Sequence, residues 1–303
     1  MLRALLFLFA LALSPSAWAQ DDTKSNAMPC GLGMVENAPA PRVAGKTYIQ
    51  QAADETTGVP QGAVRVTFVG HATFLLETAE GASVATDYNG VNRPRYLPDI
   101  VTMNNFHITH YTDYPDPGIK YVLRGWDPAG GIARHNLKYK DLRVYSVPTN
   151  IEYMGTGPNG GPTNGNSIFV FEAANLCFAH LSHLHHDLTQ EEITAIGRID
   201  VLIVPVDGFV TMSHEEVMHI IELMKPRVVI PCHYDLFGGP QAFLARAHGL
   251  YPVKTNESDS MEITQAMLPQ QTEIWVLQDG GGGGRRRGFG GGGFAPGPGG
   301  EPF

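Results

Sequence analysis

The sequence predicts an α/β domain of sheet and helix layers, and three observations carry that expectation. Short alternating runs suggest a meander of strands in the first half of the chain. The second half alternates buried apolar runs with capped helices, and no internal repeat of fixed period divides the two halves. The chain has 303 residues, 43% of them apolar and 17% charged, which is the composition of a soluble globular protein.

In chain order, Val64–Val69 alternates, Ala72–Glu77 continues after Gly70, and Ser83–Asp87 follows a Glu80-Gly81 turn. Further strands are expected at Ile100–Met103, Leu142–Val147, Ser167–Glu172 and Leu176–Ala179. Thr189 and Glu192 form a capping box before a short helix, because each side chain can satisfy the other's free backbone N–H. Val201–Val206 is a buried strand, Ser213 and Glu216 cap a helix through Leu223, and Val228–Pro231 is buried again. An amphipathic stretch from Pro240 to His248 and a strand at Glu273–Leu277 close the domain.

The ends differ from this body. Arg3, the apolar run Ala4–Leu13 and Ala17-Trp18-Ala19 have the charge, length and small-x-small site of a secretory signal peptide over residues 1–19. Residues 20–62 are expected to be an N-terminal arm, residues 63–279 the folded domain, and the Gly-rich residues 280–303 a disordered tail. The expected location is periplasmic or secreted, with no membrane span, since spanning needs about 20 apolar residues. Lysine and arginine number 21 against 30 acidic residues, a formal charge of −9, which gives nucleic acid no electrostatic foothold; the expected partner is a small-molecule substrate. Cys30, Cys177 and Cys232 allow one bridge, of open pairing.

The twelve histidines are clustered. His107 and His110 directly follow the strand Ile100–Met103; His180, His183, His185 and His186 follow Leu176–Ala179; His233 follows Val228–Pro231. Strand ends are rigid platforms from which several imidazoles can be aimed at one point, as a metal site requires. His135, His214, His219 and His248 read as ordinary surface or packing residues. Gly155–Pro162 lacks the Gly-Lys-Ser/Thr ending of a phosphate loop, Ser182 lacks a nucleophile elbow, and Cys232 reads as a buried strand residue. Tyr111, Tyr114, Trp126 and Tyr153 stand on loops where they can line a pocket or pack in the core.

The run Val66-Thr67-Phe68-Val69-Gly70-His71-Ala72-Thr73-Phe74-Leu75-Leu76-Glu77, the spacing of the histidine groups, and Val229-Ile230-Pro231-Cys232-His233-Tyr234 resemble the metallo-β-lactamase superfamily, in its lactone- and phosphodiester-hydrolysing branch. The resemblance implies a four-layer αββα sandwich with metal at the edge where the two sheets meet. Laid on the family motif His-x-His-x-Asp-His, the chain has Asn105, His107, Thr109 and His110; later family ligands fall on His186 and His233, and a bridging Asp falls on His183.

The implied ligand set is therefore His107, His110, His183, His186 and His233. Asp87 and His71 are the expected catalytic residues, with Asn105, Thr109, Asp187 and His180 behind the ligands. Loss of both family carboxylates favours one ion over two, because two close dications would repel with less compensation. A nitrogen-rich shell suits zinc, with iron, manganese or copper open. These features point to hydrolysis of an ester, lactone or phosphodiester, or alternatively to a metal-binding or sensing protein without turnover.

Overall fold

The computed structural model describes residues 30–31, 58–151, 163–235 and 238–279. The expected signal peptide, most of the arm, the Gly-rich tail, Tyr153 and the whole Gly155–Pro162 loop lie outside the described residues. Two sheets face one another. The first is formed by β1 (Ala63–Gly70), β2 (Thr73–Thr78), β3 (Ser83–Ala85), β4 (Ile100–Met103) and β5 (Tyr121–Arg124). The second contains β6 (Asn136–Tyr139), β7 (Leu142–Thr149), β8 (Asn166–Ala173), β9 (Leu176–His180), β10 (Val201–Pro205), β11 (Val228–Cys232), β12 (Val253–Thr255) and β14 (Glu273–Val276), while β13 (Ser260–Thr264) returns to the first sheet beside β1.

The strand order is β13-β1-β2-β3-β4-β5 in one sheet and β12-β14-β11-β10-β9-β8-β7-β6 in the other. β1, β2 and β3 form the expected antiparallel meander, after which β3, β4 and β5 run parallel. In β1 the alternation turns Val64, Val66 and Phe68 into the common core; on β2 Phe74 and Leu76 join them, and Phe68 stacks on Phe74 at 4.8 Å. β10 and β11 are apolar at nearly every position and buried throughout, as parallel strands covered on both faces must be.

Both capping boxes are present, on α1 (Gln190–Ile196) and α2 (His214–Met224), and a third helix, α3, spans Gln241–Ala247. α1 packs on β7, and α2 on β10 and α3, so these helices clothe the eight-stranded sheet. Four strands went unrecognised in the sequence: β5, β6, β12 and β13. β5, β6, β12 and β13 are all edge strands, where one-sided pairing demands less regular alternation, and β12 is exposed along its length.

Cys30 is bonded to Cys177 on β9, which leaves Cys232 as a buried thiol. The Cys30 carbonyl accepts from the Arg198 N–H (2.8 Å) and the Gly31 carbonyl from Arg143 Nη1 (2.9 Å), so this short segment is held by backbone as well as sulfur. No helix among the described residues is long and apolar enough to cross a membrane.

Candidate metal centre

The sheets are tied together at one edge by their backbones. The His233 N–H donates to the His71 carbonyl (2.8 Å) and the Ser167 N–H to the Asn104 carbonyl (2.9 Å), and Asn105 bridges Asn166. Every chemically interesting residue leaves a strand at this edge: His71 from β1, Asp87 from β3, Asn104–His110 from β4, His180–His183 from β9, Asp207 from β10 and His233 from β11.

His71, Asp87, Ser182 and His233 have φ of 56°, 44°, 57° and 59°, in the left-handed region that non-glycine residues avoid. Such strain costs roughly 1–3 kcal/mol per residue and persists only where the surroundings over-determine it. It lets each chain turn sharply as it leaves its strand, which brings side chains from both sheets to one place.

His71, His110 and His233 are buried, and their ligand-type nitrogens all lie within 4.8 Å of one another. The His110 and His233 Nε2 atoms are 3.3 Å apart with their rings stacked at 10°, and the His71 ring lies 4.1 Å from that of His233. Each imidazole turns its other nitrogen to a carboxylate of its own. His110 Nδ1 donates to Asp87 Oδ2 (2.8 Å) and His71 Nδ1 to Asp235 Oδ1 (2.7 Å), and His233 Nδ1 lies 3.0 Å from Asp207 Oδ2 as an ion-pair contact. Since a carboxylate only accepts, each bond puts the proton on Nδ1 and leaves the Nε2 lone pair facing inward. The His71 Nε2 is buried without a hydrogen-bond partner.

A second group shares His110. His107, His110 and His183 also have ligand-type nitrogens within 4.8 Å of one another, and the His183 Nε2 is likewise buried without a partner. His183 Nδ1 shares a hydrogen bond with His185 Nε2, so His185 turns toward His183 rather than away from it. Thr109 Oγ1 bonds His107 Nδ1 (2.9 Å), and Asn105 Oδ1 accepts the His107 N–H (2.7 Å), so both residues are bonded to His107.

Burial sets the protonation of these groups. It pushes His110 and His183 well below the ordinary imidazole range, reinforced for each by the neighbouring imidazoles, and lowers His107 in the same sense. Neutral imidazole is the form that binds metal. Asp87 is raised by its burial, against the lowering effects of His180, the Ser182 hydroxyl and the Asn104 N–H. For Asp207 burial works upward too, but the contacts with His233 and Thr211 prevail and hold it well below the carboxylate range; the His71 bond lowers Asp235 against its own burial.

The carboxylates behind these imidazoles bring negative charge to a largely buried site, and such charge is costly until it is compensated. A cation among the Nε2 atoms provides that compensation, and three convergent imidazole nitrogens are a donor set of transition-metal type. The residues present fit a divalent ion.

Several expected assignments change. His186 is in neither group: its Nε2 accepts the Asn150 N–H (3.2 Å) and its Nδ1 donates to the Asp187 carbonyl (2.8 Å), so both nitrogens are engaged elsewhere. Asp187 is exposed and pairs with His219 at 3.1 Å, far from a supporting role behind a ligand. Asp87 is wholly buried beneath His110, where it accepts from Ser182 Oγ (2.7 Å) and the Asn104 N–H (3.1 Å), so its carboxylate is bonded to His110 and closed off from solvent. His71 moves from a substrate-facing role to the three-histidine group.

His180 lies behind the site, 3.7 Å from Asp87 and 3.3 Å from Asn104 Nδ2. Tyr111 and Trp126 pack against each other beside a small satellite core of Ala85, Tyr88, Val101, Met103 and Ile119. Asp207 and Asp235 escaped the sequence reading, although Asp207 follows a buried strand as Asp87 does and Asp235 stands two residues after His233.

A two-sheet sandwich with imidazoles converging at its edge defines a metal-site α/β fold of metallo-hydrolase type. The family model described as the beta-lactamase superfamily domain matches residues 65–233, more than half of the chain, and the protein belongs to that superfamily. It is similar to a UPF0173 protein of Pyrococcus abyssi, 24% identical over 196 residues that cover 59% of this chain and 87% of the relative. A UPF0173 metal-dependent hydrolase of Carboxydothermus hydrogenoformans is 24% identical over 193 residues, covering 57% and 85%. Among solved structures, a Thermotoga maritima protein described provisionally as a Zn-dependent hydrolase of the metallo-β-lactamase superfamily aligns with TM-score 0.50 and 25% identity over 71% of this chain and 98% of its own.

Proposed function

We propose that this protein is an exported metal-dependent hydrolase holding one divalent ion, zinc by default, on His71, His110 and His233, and cleaving an ester, lactone or phosphodiester. The observation that carries the reading is the convergence of three imidazoles, each backed by its own aspartate. Names of the relatives as metal-dependent hydrolases support it. When bound, such an ion supplies Lewis-acid polarisation of a carbonyl or phosphoryl oxygen and acidifies water.

The chain's own residues do the rest. Asp87, Asp207 and Asp235 fix the imidazole tautomers and ring planes. His107 and His183 present two further nitrogens beside His110, where they hold and orient the reacting group; His185 fixes the ring of His183. Burial of His71, His110, His183 and His233 excludes bulk water from beneath the site.

Export is supported by the N-terminal signal pattern and by the Cys30–Cys177 bridge, a bond that persists in oxidising compartments. A second reading, metal binding without turnover, is favoured by Thr109, whose hydroxyl is spent on His107 where the family motif has a carboxylate.

Elemental analysis of chelator-free protein, followed by a panel of esters, lactones and phosphodiesters, separates these readings. One ion per chain and turnover lost in His110→Ala and His233→Ala support the hydrolase. One ion without any turnover supports the binding protein, and no ion defeats both.

A further inference from the structure

Four of the five most exposed large apolar side chains among the described residues gather on one set of loops. Tyr114 is 90% exposed, Val91 80%, Ile108 77% and Phe209 67%, a level that only Leu250 matches among the described residues. All four sit on the loops that carry the centre: Val91 four residues after Asp87, Ile108 next to His107, Tyr114 four residues after His110, and Phe209 two after Asp207. The first two loops are joined, since Asn89 Nδ2 donates to the Thr109 carbonyl at 2.9 Å. Scattered exposed apolar residues need no explanation, but their concentration on the loops that carry one chemical site marks a binding surface.

These residues are also held in place. The Val91 N–H donates to Asn89 Oδ1 (2.9 Å), the Tyr114 N–H to Thr112 Oγ1 (3.1 Å) and the Phe209 N–H to Asp207 Oδ1 (3.0 Å). The His107 N–H, one residue before Ile108, is bonded in the same way to Asn105 Oδ1. In each loop a polar side chain two residues earlier fastens the backbone at or beside the apolar residue. An exposed side chain displayed on a fastened turn loses little entropy when it meets a ligand.

We infer that the substrate of this centre is an ester or lactone bearing a linear apolar chain, which Val91, Ile108, Tyr114 and Phe209 receive while the scissile group lies over the imidazoles. This rests on the hydrolase reading. In the reaction water adds its hydroxyl to the acyl carbon, the acyl C–O bond breaks, and the alcohol leaves with the remaining proton.

The test uses the full exported chain loaded with zinc, p-nitrophenyl esters from acetate to decanoate, and the triple variant Val91→Ser, Ile108→Ser, Phe209→Ser, whose positions are exposed and outside the metal centre. Each methylene buried on the rim raises kcat/KM by up to about fourfold, so the wild type gains at least about tenfold from acetate to hexanoate. The triple variant keeps its rate on acetate and loses the gradient.

A flat series in a wild type that cleaves acetate, or a gradient that survives in the variant, overturns the inference and leaves the hydrolase reading standing. If no ester is cleaved, and the lactones and phosphodiesters of the panel are left intact as well, the hydrolase reading fails; in either case calorimetric binding of 1-alkanols from butanol to decanol decides the rim by itself. Affinity that climbs with chain length in the wild type and not in the variant upholds an apolar-chain site; a flat series overturns it. Binding of zwitterionic vesicles through these residues, with flat alkanol affinities, also overturns it by assigning the rim to a lipid surface.

Discussion

Replacing Asp87 by Asn changes one atom at the base of the centre and almost nothing in volume. Asp87 is fully buried and accepts three hydrogen bonds, from His110 Nδ1 at 2.8 Å, Ser182 Oγ at 2.7 Å and the Asn104 N–H at 3.1 Å. The amide oxygen can keep Asn104, but an NH2 group in place of Oδ2 faces His110 and Ser182 as a donor. His110 then restores a bond by moving its proton to Nε2, and the lone pair that faced the site is lost.

Removing such a carboxylate behind a ligating histidine typically costs 10- to 100-fold in metal affinity, about 1.4–2.7 kcal/mol. Competition with a chromophoric chelator measures it, and 15N chemical shifts of the His110 ring report the tautomer. Asp99→Asn is the matched control. Asp99 is also buried and bonded, to Ser83 and Lys120 at 3.2 and 2.6 Å, but it stands apart from the centre, so it lowers stability and leaves metal affinity alone. Zinc affinity of Asp87→Asn within threefold of wild type, in a protein that melts normally, would refute the assignment of Asp87 as the orienting group.

Three more outcomes are expected. His71→Ala reduces zinc content to near zero while His186→Ala leaves it at the wild-type level, as read by elemental analysis; equal losses would mean that the three-histidine group is misassigned. In metal-stripped protein, His110, His180 and His183 have imidazole pKa values lowered by burial, so below pH 6.5 the unfolded chain binds more protons than the folded one. Urea midpoints are therefore level above that pH and fall beneath it, by at most about 1.4 kcal/mol per pH unit for each imidazole, with Asp87, raised by burial, opposing the trend in acid; a midpoint independent of pH from 7 to 5.5 would contradict the burial argument. Cys30→Ser lowers unfolding stability by about 2–5 kcal/mol in a denaturant titration, since the bridge spans a sequence separation of 147 residues, and an unchanged midpoint would show that the bridge contributes nothing.

The central strands were legible because burial leaves a pattern. Val64–Val69 alternates where one face meets the core, and Val201–Val206 is uninterrupted where both faces are covered. β13 was not legible: Ser260–Thr264 owes its strand to β1, which lies nearly two hundred residues earlier in the chain. At the centre, His107, His110, His183 and His233 were found by their place at strand ends, and the fold brings them together.

The error at His186 has a local cause. In the run His183–His186 spacing cannot tell which ring faces inward, and the Asn150 N–H, supplied by a distant loop, decides it. Aspartates behind ligands are harder still to see, because an Asp after a strand reads equally well as a turn residue.

The bridge between Cys30 and Cys177 also imposes an order on how the protein is made. At about 5–20 residues per second, Cys177 follows Cys30 from the ribosome roughly 7–30 s later. Until then Cys30 has no correct partner, and by the time β11 emerges with Cys232 the right one is already present. A chain that met its oxidant while still being completed and folding would face only one wrong intramolecular choice for Cys30, and β11 removes it by burying Cys232 in the sheet.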